Sequence, residues 1–231
     1  MDIEKIDKIL SQIVVRIDGE EVGSGFYIDE NLILTAEHVI RKDRNKGKNV
    51  NIICDAKGQD VTSASILDYD EALDIALLKI NKTVKGKLPL GIVNIKEGDR
   101  WRTYTCFQPL DGTGNDFEKD MIKGEVYQVE PFNNNGYDIH LSGVYLKGEP
   151  FYGGYSGCSG SPITINGNIV GIIIKEEQSQ RETPLKAISF SRIKDFFIRN
   201  NLTFKEIKEE NKLDISFNAI FQKVVSKDIA E

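Results

Sequence analysis

A glycine-rich run near residue 157 combines residue types that acyl-transfer chemistry requires. It reads Gly154-Tyr155-Ser156-Gly157-Cys158-Ser159-Gly160-Ser161-Pro162. Glycine at 157 and 160 can adopt positive φ angles and lets a substrate carbonyl approach the backbone, while the proline fixes the exit into the next strand. The backbone amides of Gly157 and Ser159 could then form an oxyanion hole beside the Ser159 hydroxyl. The run therefore predicts a serine nucleophile.

A serine hydroxyl is a poor nucleophile at neutral pH and needs a neighbouring base, for which imidazole is best suited. The chain has two histidines. His140 lies in an alternating stretch typical of a strand, where a structural role is expected. His38 instead follows an apolar pattern of strand, turn and strand. We therefore predict that His38 is the general base.

The acid that would orient His38 lies in a segment crowded with carboxylates. Asp68, Asp70, Glu71 and Asp74 all fall there. Asp74 leads straight into an apolar run that is expected to be buried. A buried carboxylate can hold the imidazole tautomer and stabilise the imidazolium that forms during the reaction. This favours Asp74 over Asp70.

Three motifs resemble those of the trypsin-like, chymotrypsin-fold serine peptidases, most closely the bacterial branch with the high-temperature-requirement and glutamyl endopeptidases. They are Thr-Ala-Glu-His-Val, Asp-Ile-Ala-Leu-Leu and Gly-Cys-Ser-Gly-Ser-Pro. The order His, Asp, Ser is that family's order, and unrelated serine hydrolase folds use other orders. The resemblance covers roughly residues 12 to 198 and implies the triad His38, Asp74 and Ser159.

Two other residues of the glycine-rich run compete for the role of nucleophile. Ser156 also has glycines close by, at 154 and 157, but it is not followed by small residues and a proline as Ser159 is. A thiolate at Cys158 would be intrinsically more nucleophilic. With Cys158 as nucleophile, however, the family's flanking glycines would fall on Ser156 and Ser159. Ser159 is therefore favoured.

The resemblance also implies where the primary substrate pocket lies. Its floor would be six residues before the nucleophile, at Gly153, which offers no carboxylate for a lysine or arginine side chain. A trypsin-type preference is therefore not expected. Lys175 could attract an acidic substrate side chain or could simply be solvated, and the sequence leaves both open. The pocket residues that the resemblance implies are Gly153, Ile174, Lys175, Glu176, Ala187 and Ser189.

Short β-rich runs separated by turn residues predict an all-β fold. In the resembling family they build two six-stranded antiparallel β-barrels. The first barrel would use residues 13–17, 22–28, 32–35, 50–54, 61–67 and 75–80. The second would use 101–107, 122–129, 137–146, 161–165, 169–174 and 185–190. We expect three parts: an N-terminal barrel with its leading segment at 1–90, a C-terminal barrel and short helix at 91–200, and a tail or the start of a downstream domain at 201–231.

Composition limits the classes of protein that fit. The chain has 231 residues, of which 40% are hydrophobic and 29% charged, as is ordinary for a soluble globular protein. The net charge of -6 argues against a nucleic-acid-binding surface. No apolar run reaches the length of a membrane span. We therefore expect neither a nucleic-acid nor a membrane partner.

The cysteines and the N-terminus predict a cytoplasmic protein. Three cysteines are an odd number, which argues against a disulfide scaffold. The first ten residues alternate charge with isoleucine and do not resemble a signal peptide. No CxxC or His/Cys cluster indicates a metal, and we expect no cofactor.

Three classes of function remain open at this stage. The resemblance favours a bacterial serine endopeptidase that cleaves intracellular proteins through an acyl-enzyme intermediate. The alternatives are a catalytically silent binding or sensor module, and the protease module of a regulated or defence system. In the last case a regulatory protein or a fused domain would act through residues 201–231.

Overall fold

The computed structural model describes residues 2–55, 58–82, 86–107, 118–131, 136–142, 144–145, 157–176 and 185–207. These residues form two closed antiparallel β-barrels of six strands each, which is the chymotrypsin-like fold. The predicted fold class is therefore confirmed. Eleven of the twelve predicted strands are present as single strands, with ends that differ by a few residues, and the strand predicted at 137–146 is divided in two.

The first barrel is built from the strands before residue 81. They are β1 Val14–Asp18, β2 Val22–Asp29, β3 Leu32–Thr35, β4 Val50–Ile53, β5 Val61–Asp70 and β6 Ile75–Ile80. They pair in the closed order β1-β2-β3-β6-β5-β4. Because the barrel is closed, it has no exposed sheet edge, and the apolar side chains of its strands fill the interior.

The second barrel is built from most of the strands after residue 90. The strands there are β7 Gly91–Ile92, β8 Arg100–Phe107, β9 Glu118–Val129, β10 Ile139–Leu141, β11 Val144–Tyr145, β12 Pro162–Ile165, β13 Asn168–Glu176, β14 Leu185–Ser189 and β15 Lys205–Glu206. The ring runs β10-β14-β13-β12-β8-β9 and closes where β9 pairs with β10. Strand β11 also pairs with β9, so the single strand predicted at 137–146 is two short strands.

Three helices occur in the described residues: α1 Ile3–Ile13, α2 Glu37–Asn45 and α3 Lys194–Arg199. Helix α1 buries Ile6, Leu10 and Ile13, which are spaced so that they share one face. These residues join the core of the first barrel. Helix α3 confirms the predicted C-terminal helix over a shorter range. Helix α2 begins directly after β3 and contains His38.

The two barrels pack on each other through apolar side chains on the outside of the second barrel. Ile172, Ile174 and Ile188 belong to the same buried cluster as the interior of the first barrel. The neighbouring strand residue Ile173 points the other way, into the separate core of the second barrel. Burying such a side chain contributes about 1.5–3 kcal/mol. The apolar packing of these side chains therefore stabilises the interface between the two barrels.

The first residues of the tail fold back on the link between the barrels. The Lys205 amide donates to the Leu90 carbonyl and the Ile207 amide donates to the Ile92 carbonyl, both at 2.9 Å. Strand β15 therefore pairs with β7 in parallel. The rest of the predicted tail, residues 208–231, lies outside the described residues. None of the described helices has the length and apolar character that crossing a membrane would require.

Candidate active site

His38 and Asp74 are in direct contact. His38 is the second residue of α2, and Asp74 ends the turn between β5 and β6. One carboxylate oxygen of Asp74 accepts from the His38 backbone amide at 2.8 Å, and the other lies 2.7 Å from His38 Nδ1. With Nδ1 donating to the carboxylate, Nε2 is left as the ring atom that can accept a proton. The pair thus has the arrangement of a general base with its orienting acid.

The backbone of Asp74 explains why this carboxylate reaches the histidine. Its φ of 51° lies in the left-handed region, which aspartate tolerates better than most residues. Asp70 has a different role, because its Oδ1 accepts from the amides of Ala72 and Leu73 at 3.1 Å and so builds the turn. The structure therefore places Asp74, and not Asp70, against His38.

Ser159 lies in a tight turn whose glycines have left-handed backbones. Gly157 has a φ of 94° and Gly160 a φ of 89°. A Cβ atom at Gly160 would lie 1.8 Å from the Ser24 carbonyl oxygen, so only glycine fits there. The Ser161 amide closes the turn by donating to the Cys158 carbonyl at 2.9 Å. The sequence Gly-Cys-Ser-Gly-Ser-Pro is thus used for its backbone geometry, as predicted.

The turn with Ser159 lies against the same part of β2 as the helix with His38. A Cβ atom at Gly23 would lie 2.6 Å from the Val39 side chain and 2.9 Å from the Ser159 carbonyl oxygen. The Ser159 hydroxyl donates to the Ile174 carbonyl at 3.2 Å. Within the described residues it makes no hydrogen bond to His38. The Ser159 turn and helix α2 therefore both pack against Gly23 of β2, with the Ser159 hydroxyl directed toward β13.

The two amides predicted to form the oxyanion hole, those of Gly157 and Ser159, both lie in this turn. Within the described part of the chain, neither the Gly157 amide nor the Ser159 amide donates a hydrogen bond. The carbonyl groups of the same residues are engaged instead. Gly157 O accepts from the Ser24 hydroxyl at 2.8 Å, and Ser159 O accepts from the Ser24 amide at 2.7 Å.

The competing candidates for base and nucleophile have other environments. The Cys158 side chain is 1% exposed and packs in the core of the second barrel, so it cannot meet a substrate. His140 is buried, and its Nε2 lies 2.8 Å from a carboxylate oxygen of Glu130. It therefore has the structural role that the alternating sequence predicts. Ser156 lies outside the described residues.

Five of the six predicted pocket residues fall on two adjacent strands, β13 and β14. Ile174 is buried, and its carbonyl contacts the Ser159 hydroxyl as described above. Lys175 is exposed, with Nζ 4.9 Å from the centre of the Tyr137 ring. Ala187 is buried in the core of the second barrel. Gly153 and the Glu176 side chain lie outside the described residues, so the pocket stays a prediction.

Ser189 is buried and already bonded. Its amide and hydroxyl both donate to the Asp138 carboxylate, at 2.7 and 2.5 Å. Burial raises the pKa of Asp138, and the bonds from Ser189 partly offset this effect. The Ser189 hydroxyl is therefore buried and bonded to Asp138 in this structure.

Helix α2, which contains His38, carries an ion-pair network that we did not predict from the sequence. Glu37 is 0% exposed and contacts Arg41 at 2.5 Å and Arg44 at 2.9 Å. The Glu37 carboxylate raises the pKa of Arg41. Arg44 also reaches Glu71, at 2.8 Å, in the turn that ends at Asp74. The network thus ties α2 to that turn. The spacing of Glu37 and Arg41, four residues apart, is the signal that could have revealed it.

Among the residues that the structure describes, no group of three or more His, Cys, Asp and Glu is placed to hold a metal ion. None of the three cysteines is in a disulfide.

Curated proteins with similar sequences come from a virus. Replicase polyproteins 1a and 1ab of Berne virus are each 26% identical to this chain over 160 residues, which is 68% of the chain. The chain spans only 3% and 2% of their lengths.

Solved structures with the same fold include a protease and Deg5. The Rv3671c protease of M. tuberculosis in its inactive form has a TM-score of 0.61 and 17% identity, covering 84% of this chain and 92% of that one. Deg5 has a TM-score of 0.59 and 21% identity, covering 84% and 94%. The sequence profile of the trypsin-like peptidase domain matches residues 23–172, more than half of the 231 residues. This match includes His38, Asp74 and Ser159, and the chain belongs to the family of trypsin-like peptidases.

Proposed function

We propose that the protein is an active serine endopeptidase in which His38, Asp74 and Ser159 form the catalytic triad. The observation that carries the proposal is the two-point contact of the Asp74 carboxylate with His38, at 2.8 and 2.7 Å. A carboxylate bonded to both the amide and Nδ1 of one histidine fixes the position and the tautomer of its ring.

The reaction follows from these groups. His38 Nε2 removes the proton of the Ser159 hydroxyl as Oγ attacks the carbonyl carbon of the scissile peptide bond. The amides of Gly157 and Ser159 stabilise the oxyanion that forms. His38 then protonates the leaving amine, which departs and leaves an ester on Ser159. Water, deprotonated by His38, hydrolyses that ester and restores the hydroxyl.

The substrates we propose are intracellular proteins of a bacterium, and the site of action is the cytoplasm. The three cysteines, none of which is in a disulfide, support this assignment. We further propose that the peptidase is a module of a regulated or defence system, controlled by a protein or a fused domain through residues 201–231. The return of residues 205–207 to the link between the barrels supports this part.

A catalytically silent binding or sensor module is the second candidate. The observation that favours it is the Ser159 hydroxyl, which donates to the Ile174 carbonyl instead of to His38. An active enzyme needs this hydroxyl to turn toward the imidazole when substrate binds. A silent module would have no such requirement.

Labelling with a fluorophosphonate probe separates the two candidates. We expect the wild-type chain to gain one probe per molecule in intact-mass measurements, with the adduct mapped to Ser159. Ser159→Ala should abolish labelling, whereas the matched Ser156→Ala variant should label like wild type. Ser159→Ala should also lose the ability to cleave fluorescein-labelled casein. An unlabelled wild-type chain, or an adduct on Ser156, would contradict the proposal.

A further inference from the structure

Ser24 holds the segment with the candidate oxyanion hole at both ends. It lies on β2 of the first barrel and is fully buried. Its hydroxyl donates to Gly157 O at 2.8 Å, and its amide donates to Ser159 O at 2.7 Å. One residue of the first barrel thus contacts the two residues of the second whose amides would bind the oxyanion.

The direction of the Ser24 hydroxyl is fixed by its other partners. The Cys106 amide donates to Ser24 Oγ at 3.0 Å, so the hydroxyl hydrogen is left to point at Gly157 O. Thr105 Oγ1 lies 3.2 Å from Ser24 Oγ and also accepts from the Ser161 hydroxyl at 2.9 Å. These side chains form a buried set of hydroxyls beneath the turn, shared between β2, β8 and the residues after Ser159.

We propose that Ser24 is a positioning residue for the oxyanion hole, and this proposal rests on the proposed peptidase function. A peptide unit is planar, so holding the Gly157 carbonyl limits rotation of the peptide that joins residues 157 and 158. That peptide lies between the two candidate amides, and its rotation would move them apart. Ser24 thereby keeps both amides directed at one point, although it does not itself touch the substrate.

The test compares Ser24→Ala with Thr103→Val. Thr103 is also fully buried, on β8, and its hydroxyl donates to the Tyr104 carbonyl at 2.8 Å; among the described residues it has no hydrogen bond to the turn. Both variants lose one buried hydroxyl, so a general loss of stability should affect them alike. If Ser24→Ala fails to fold, Ser24→Cys keeps the volume and supplies only a weak donor.

Two measurements read out the proposal. The first is the rate constant for fluorophosphonate labelling, with kcat and KM for p-nitrophenyl acetate. We expect Ser24→Ala to label roughly tenfold more slowly than Thr103→Val, with the loss in kcat rather than in KM. The second is hydrogen exchange at the Gly160 and Ser161 amides, which donate within and beside the turn. Exchange should accelerate in Ser24→Ala alone.

The second measurement separates failure of this inference from failure of the proposed function. If the wild-type chain labels but Ser24→Ala labels no more slowly than Thr103→Val, the inference is wrong while the function stands. If the wild-type chain does not label, the function fails, and hydrogen exchange alone decides the inference. Unchanged exchange in Ser24→Ala would then overturn it, and faster exchange confined to the turn would support it.

Discussion

Replacing Asp74 with asparagine removes one of two acceptor atoms that serve His38. In the native site one oxygen accepts from the His38 amide at 2.8 Å and the other lies 2.7 Å from Nδ1. Asparagine keeps one oxygen, and its NH₂ group can only donate. If the oxygen stays on the His38 amide, the NH₂ group faces Nδ1 and makes that nitrogen an acceptor. The ring proton then resides on Nε2, which can no longer accept the proton of Ser159.

The expected loss follows from this wrong tautomer. We expect kcat for p-nitrophenyl acetate to fall by about four orders of magnitude, equivalent to about 5 kcal/mol in the activation barrier. KM should change little, because Asp74 does not face the substrate. The fold should persist, since the lost hydrogen bond to a charged group contributes only about 1.5–3 kcal/mol to stability. Thermal unfolding followed by circular dichroism checks this point.

Asp70→Asn is the matched control for that experiment. Asp70 lies four residues earlier in the same turn, accepts two turn amides and pairs weakly with Arg199 at 3.4 Å. Its replacement should leave kcat within about threefold of wild type, because surface ion pairs contribute little. If Asp70→Asn abolishes turnover while Asp74→Asn is mild, the acid has been assigned to the wrong residue and the argument from the two-point contact fails.

Two further predictions concern stability. Gly160→Ala should lower the free energy of unfolding by about 3 kcal/mol or more, because its Cβ would clash with the Ser24 carbonyl. The control Gly47→Ala, at a similar positive φ but with open space around it, should lower it by only about 1 kcal/mol. Equal losses in urea titrations would refute the steric argument. Burial raises the pKa of the Cys106 thiol from 9.0 to about 12, so between these values the folded chain keeps a proton that the unfolded chain has lost. Stability should therefore fall with rising pH in this window by up to about 1.4 kcal/mol per pH unit from this group, and Cys106→Ala should flatten that slope in urea titrations; an unchanged slope would contradict the assignment.

The strands could be predicted because their signals are local. Alternating or continuous apolar runs ended by turn residues give each strand independently, and closing them into barrels follows from the family resemblance. His38 and Asp74 were also within reach, since each occupies a motif directly beside a buried strand. The sequence favoured Asp74 over Asp70, but only the structure explains how Asp74 reaches His38. A left-handed φ at an aspartate leaves no signature in the sequence.

The role of Ser24 could not be predicted, because its partners are far away along the chain. Ser24 contacts Gly157 across 133 positions and Thr105 across 81. A serine between two glycines indicates a close approach of backbone but not what approaches. Glu37 carried a weak signal of its burial, because it is a carboxylate directly before the predicted base in an otherwise apolar stretch. Its burial depends on Arg44, whose other partner lies in the Asp74 turn.

The site is divided between the barrels, and this division decides what can disturb it. His38 and Asp74 belong to the first barrel and hold each other there, whereas Ser159 belongs to the second. Contacts that join the halves include the bonds from Ser24 to the turn and the apolar packing of residues such as Ile172 and Ile174. Ile174 links this interface to the site, because its side chain packs in the interface and its carbonyl accepts from the Ser159 hydroxyl. A small shift of β13 would therefore move the hydroxyl relative to the imidazole while leaving each barrel intact, so the geometry of the reacting groups depends on the interface between the barrels.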